Sequence, residues 1–230
     1  MKKSFLTIMA ALFMSATSMY AQAYTQSRYY NERTGHLDYS NRGNDSFFGS
    51  GANYYGLRIG PSFSTVNSDD KTLDGGSSQT GLSLGAVAGF SLTDRGPLYL
   101  ETGLYYTEKG GKTTYEGKKM TYDLNYLEVP VTVKYVADLD GSFSVQPFAG
   151  GYLAYGVGGK IRNYGDRVLT GSFSSQYFKR FDAGLRLGCG IGYDMFYADL
   201  SYDLGLANIC HDEFDTSHNG SLLLTVGVNF

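Results

Sequence analysis

Eight stretches of this chain alternate apolar with small or polar residues at a period of two. The stretch SLLLTVGVNF (221–230) shows the rule. Leu222, Leu224, Val226, Val228 and Phe230 share one face; Ser221, Thr225, Gly227 and Asn229 share the other, with Leu223 the one exception. A two-residue period is the signature of a β-strand with unlike faces. Comparable stripes run over 55–63, 82–92, 98–106, 127–135, 143–155, 181–193 and 196–204. Eight strands of this kind in 230 residues restrict the chain to an all-β fold, and leave a sandwich or a barrel to be decided.

The connections decide. TDRGP (93–97), ADLDGS (137–142, with the hairpin-forming pair Asp140-Gly141) and Asp194-Met195 are short. Between them lie long polar stretches at about 67–80, 108–120, 158–176 and 207–219. Strict alternation of long and short connections is the pattern of an up-and-down transmembrane barrel, with short periplasmic turns and longer extracellular loops. A sandwich has no reason to alternate them.

The two faces agree with this. A solvated polar face carries many Lys and Glu residues, whereas here it is mostly Gly, Ser and Thr with scattered charges. The apolar face is Leu, Val and Ala, with Tyr and Phe near the strand ends. An inverted arrangement suits both, with lipid outside, paired polar groups inside and aromatic girdles at two levels. The stripes have the ~9–11 residues that a tilted strand needs to cross a bilayer. Phe230 then ends an outward-facing closing strand, which must pair with the first because lipid leaves no edge satisfied.

The N-terminus specifies export. MKK is a basic start, FLTIMAALFMSA an apolar core too short to span a membrane, and Ala21-Gln22-Ala23 a small-x-small cleavage site. Residues 1–23 read as a secretory signal peptide, whose removal takes away Lys2 and Lys3 and moves the formal charge from −3 to −5. That weakly acidic balance argues against nucleic acid as a partner. Residues 24–52 lack a period and read as a flexible periplasmic arm, so the barrel domain is expected over 53–230.

Over residues 54–230 the chain resembles the PorT-like outer-membrane β-barrels of Bacteroidota-type bacteria. The likeness rests on YLEVPVTVKY (126–135), QPFAGGYLAYG (146–156), FDAGLRLGCGIGYD (181–194), SYDLGLANI (201–209) and Phe230. The Tyr-Leu-Glu-hydrophobic-Pro stretch is the most specific part. The resemblance implies an outer-membrane barrel of about eight strands, usually without a known enzymatic role. Some members take part in secretion linked to gliding, a role of those members alone. The terminal aromatic is similar to the signal read by the barrel-assembly machinery.

Arg58, Lys134, Arg180 and Arg186 fall on the inward face with Glu101, Glu128, Asp182, Asp199 and Asp203. An eight-stranded barrel is only wide enough for side chains to fill it, and unpaired charges there are costly. An internal ion-pair network acting as a plug is therefore expected. If Asp194-Met195 is a two-residue turn, Tyr193 faces Phe196 and Arg186 faces Asp203. The same register sets Cys210 opposite Lys179 and ten residues from Cys189, ~33 Å away, too far for a disulfide.

The stretch CHDEFDTSHNG (210–220) holds His211, Asp212, Asp215 and His218, with Cys210 and Glu213. These are possible metal ligands, but their spacing matches no closed zinc pattern, and an acidic surface loop is the simpler reading. No cofactor is expected. The histidines lie only at 36, 211 and 218, and no strand-held Ser or Asp completes a catalytic triad with them. GCGIG (188–192) has no following helix to hold a phosphate.

The expectation is a closed, antiparallel, eight-stranded outer-membrane barrel, monomeric, with a structural or interaction role at the cell envelope. Its partners are outer-membrane lipid, the assembly machinery during biogenesis, and envelope proteins met through the arm or the third loop (160–178). A small channel is the alternative, a component of a secretion or envelope-assembly complex the second, and a soluble lipocalin-like binder the third.

Overall fold

In the computed structural model, residues 53–68, 77–92, 97–115, 118–139, 143–163, 169–173, 178–210 and 217–230 are described. The expected signal peptide and arm lie outside them. So do His211, Asp212, Glu213 and Asp215.

Eight long strands make up the fold: β1 (Tyr54–Ser68), β2 (Ser77–Ser91), β3 (Leu98–Tyr115), β4 (Lys118–Tyr135), β5 (Phe143–Gly158), β6 (Phe181–Tyr193), β7 (Phe196–Gly205) and β8 (Ser217–Asn229). Each pairs antiparallel with its chain neighbours. β8 closes onto β1, with Gly56 opposite Asn229 and Ser68 opposite Ser217. The sheet is a closed, all-β, up-and-down barrel with no free edge in its wall.

The barrel is inverted relative to a soluble protein. Leu104, Leu153, Leu187, Leu200 and Val226 are exposed on the outside, while Arg58, Lys134, Glu128 and Asp203 are buried inside. Exposed aromatics form two levels. Tyr55, Phe90, Tyr135, Tyr193, Phe196 and Phe230 lie at the end carrying the short turns; Phe63, Tyr155, Phe181 and Tyr202 lie toward the loop end. On β6, Phe181 and Tyr193 are twelve residues apart, ~40 Å along the strand. A tilt of roughly 40° reduces that to ~30 Å, close to the height of a lipid-facing band.

Asp194-Met195 is the expected two-residue turn. Tyr193 pairs with Phe196 and Arg186 with Asp203, and Asp194 takes a left-handed φ of 53°, which Asp tolerates better than most residues. Farther along, the register slips by one. The N–H groups of Leu206 and Ala207 both bond to the Ala183 carbonyl. From the Gly205–Gly184 pair to the bridge of Cys210 with Phe178, not Lys179, the 178–184 segment carries one residue more than 205–210. Neither cysteine forms a disulfide; Cys189 is exposed and Cys210 buried.

The second long connection is corrected. Residues 108–120 were expected as a loop, but β3 and β4 continue as a hairpin, with Tyr115 opposite Lys118. In the third long connection, 160–178, expected as a loop and candidate contact surface, Lys160–Asn163 pairs with β4 and with Leu169–Gly171, and Phe173 and Phe178 join the apolar cluster at the barrel mouth.

Candidate functional site

The lumen is the candidate site. At its loop end Tyr122, Leu124, Tyr126, Tyr152, Phe178, Ile209 and Cys210 form one buried apolar cluster, with Ile161 and Phe173 packed on it. The Phe173 ring meets Tyr126 edge-on at 5.5 Å, and Phe178 leans on Tyr122 at 5.6 Å. Tyr122, Leu124 and Tyr126 look out of phase with Leu127 in sequence. They are in phase with Glu128 and face inward, and the irregularity beside them lies in the β4–β5 ladder, between Asn125 and Tyr126. At the turn end a smaller apolar group, Tyr54, Tyr99 and Val136, is buried.

Two charge clusters lie between these lids. The loop-side cluster centres on Arg186. Its Nε and Nη2 donate to the two oxygens of Asp203 at 2.6 and 2.8 Å, and Nη2 also reaches Glu128. Lys109 lies 2.7 Å from Glu128, 3.2 Å from Asp203 and 3.9 Å from Asp182. Asp182 accepts from Tyr152 and Asn219, and the Lys109 ammonium sits 4.2 Å from the Tyr152 ring centre. Four strands, β3, β4, β6 and β7, are held by charge-assisted bonds, the strong class of hydrogen bond.

The turn-side cluster is built on Lys134 and Arg58. Lys134 Nζ donates to Glu101 at 2.7 Å and to the Tyr197 hydroxyl at 3.0 Å. Tyr54 donates to the same Glu101 oxygen at 2.6 Å. The Arg58 guanidinium stacks 4.0 Å over Tyr197 and lies 3.8 Å from Glu101. It also donates to the Val228 carbonyl and the Asn229 side chain, so it clasps β8 to β1 at the closing seam. Asp199 accepts from Thr225 at 2.5 Å.

Two inner-wall glycines make room for this filling. A Cβ at Gly85 would strike the Tyr105 ring, and one at Gly190 the Tyr197 ring. A cavity of about 20 Å³ remains between the clusters, beside Glu101, Asp199 and Arg186, enough for about one water.

Of the nine charged residues assigned to the lumen by sequence, the structure brings eight inside. Arg180 is the exception and a correction. It lies exposed beyond the start of β6, bonded to the Gly156 carbonyl and set over the Phe173 ring, because the inward positions at that level are taken by the apolar lid. Lys109 is the residue that sequence reasoning missed. Its signal was its place two and four residues beyond the inward-facing Thr107 and Tyr105. Two members of the possible metal set are described: Cys210 is buried in the apolar cluster, and His218 has Nδ1 3.1 Å from the Ala207 carbonyl. Among the described residues no group of three or more His, Cys, Asp or Glu side chains could hold a metal.

A family profile described as "Outer membrane protein beta-barrel domain" matches residues 41–211. The chain belongs to this outer-membrane barrel family. Solved structures similar to this barrel protein include Ail, the attachment invasion locus protein of Yersinia pestis. It is 17% identical, with 77% of this chain and 98% of that one covered at a TM-score of 0.43. Neisserial surface protein A is 16% identical over 78% and 99% of the two chains, TM-score 0.44. A major outer membrane protein of Thermus thermophilus is 14% identical over 78% and 100%, TM-score 0.46. No curated protein matches the sequence.

Proposed function

We propose that this outer-membrane barrel is a closed scaffold. It carries no solute through its lumen and acts through the surfaces it presents outside it. The observation that supports this reading is the filling of the lumen. Two charge clusters span its middle, a buried apolar cluster lies toward each end, and among the described residues the cavity between the clusters has room for about one water. Residues 1–23 act as the export signal, residues 24–52 as a periplasmic arm, and the loop end faces outward from the cell. The working surfaces are then the outer loops and the arm, which would meet envelope partners. The PorT-like resemblance fits this reading as a narrower placement within the barrel family, and service in a secretion or envelope-assembly complex is its most specific form.

Thiol labelling of intact cells tests it. In a variant with Cys189→Ala and Cys210→Ala, a cysteine at Asp166 should react with a membrane-impermeant maleimide, and one at Gly141 only after the outer membrane is opened. The opposite pattern, or release of the protein from membranes without detergent, would overturn the reading.

A further inference from the structure

The inward charges do not balance. On the turn side Arg58 and Lys134 stand against Glu101 and Asp199, two against two. On the loop side Lys109 and Arg186 stand against Glu128, Asp182 and Asp203, two against three. Among the described residues one carboxylate is in excess, and it belongs to a cluster whose members are all buried. An uncompensated charge held away from water is strongly destabilising.

The distances single out Asp182. Glu128 and Asp203 lie 2.7 and 3.2 Å from Lys109, and both are also bonded to Arg186. The ion-pair contact of Asp182 is Lys109 at 3.9 Å, too long for a hydrogen bond. Its Oδ2 accepts from Asn219 at 2.8 Å and from Tyr152 at 3.3 Å. Its Oδ1 is buried with no hydrogen-bond partner.

Two more oxygens of this neighbourhood share that condition. The Asn219 amide turns its nitrogen to Asp182, and its Oδ1 is buried and unpartnered. Ser221 stands two residues along β8 on the same inner face, opposite Asp203, and its Oγ is unpartnered as well. The surplus charge and the unsatisfied oxygens are independent observations, and they fall in one cluster. A water would satisfy the oxygens and leave the charge. A divalent ion would reverse the charge. A small monovalent cation answers both.

We propose that the loop-side cluster binds one alkali cation, held by Asp182 Oδ1 with Asn219 Oδ1 and Ser221 Oγ. Oxygen donors suit a hard ion. Two of the three are neutral, so the site needs no trio of His, Cys, Asp or Glu side chains. The ion ties β6 to β8 across β7, as the Asn219–Asp182 bond already does. The inference deepens the closed-lumen reading and rests on it.

Urea unfolding of the refolded protein in nonionic micelles tests it, with NaCl replacing tetramethylammonium chloride at constant chloride. The organic cation is too large for the cluster. The unfolding constant of the unaltered protein should fall as Na+ rises, by up to about tenfold for each tenfold increase. Asp182→Asn keeps an acceptor for Asn219 and Tyr152 and removes the surplus charge, so the Na+ dependence should vanish. Asp199→Asn, in the balanced cluster, should retain it. Radiolabelled sodium gives a second reading on the folded protein if a variant unfolds too early to titrate. It should bind at one ion per barrel in the unaltered protein and be lost in Asp182→Asn. Unfolding indifferent to Na+ would overturn the proposal, as would a dependence kept by Asp182→Asn or lost in Asp199→Asn. A midpoint moved by pH alone, and not in Asp182→Asn, would also overturn it, by giving the charge balance to a proton. Steady current through the unaltered protein in a planar bilayer would instead mark failure of the closed lumen, and it is read apart from the midpoint.

Discussion

The two buried lysines of the lumen share a residue type and a complete lack of exposure, yet they do different work. Lys109 sits among three carboxylates on three strands, at 2.7, 3.2 and 3.9 Å. Lys134 meets one carboxylate, Glu101, and completes its shell with a tyrosine hydroxyl and aromatic faces. Glu101 itself retains 12% of its side-chain exposure, whereas Glu128 and Asp203 retain none. The loop-side cluster is thus a cross-brace whose charges have nowhere else to go, and the turn-side cluster is a shared shell around a carboxylate that keeps some exposure. Burial of the partner, more than of the lysine, sets what a lost charge costs.

The largest effect is expected from Arg186→Ala. It removes both bonds to Asp203 and the contact with Glu128, leaving carboxylates served by Lys109 alone. A loss of about 3–5 kcal/mol is expected, read as a lowered denaturation midpoint in detergent micelles; an unchanged midpoint would break the comparison at its strongest point. Replacing Arg186 and Asp203 together by apolar residues should cost less than Arg186→Ala alone, because no charge is stranded. Next comes Lys109→Met, expected to cost more than Lys134→Met, with the gap about 1–2 kcal/mol. Equal losses would show that the partner's burial does not matter. The smallest effect is expected from Thr225→Val, which removes one hydrogen bond to Asp199 and should cost about 1 kcal/mol. A loss as large as that of Lys134→Met would move Asp199 into the brace class.

Arg186 and Lys109 also mark how far the sequence could be read. The Arg186–Asp203 pair follows from one tight turn and a ladder without interruption, because antiparallel pairing is simple counting once the turn is known. Lys109 was missed for a physical reason. Reading strands by alternation depends on one face meeting lipid. Beyond the lipid belt, β3 continues through Glu108, Lys109 and Lys112 with polar residues on both faces, so the ladder persists while its signal fades. The same limit hid the inward course of Tyr122, Leu124 and Tyr126, where apolar residues line the inside of the barrel mouth. Arg180 was misplaced because parity was carried past the strand, into a segment governed by the Phe173 and Phe178 lid. Cys210 was misplaced by one residue because the 178–184 segment holds one residue more than 205–210 between the last ladder pair and the Phe178–Cys210 bridge, which no residue type there announces.

The central claim is that the lumen is filled, and single-channel recording tests it most directly. The refolded protein in a planar bilayer should show no steady current. The Arg186→Ala/Asp203→Ala variant should show at most brief openings, since the aromatic lids remain. A stable, ohmic conductance from the unaltered protein would contradict the account, for it would mean a continuous path of water through both charge clusters and both lids.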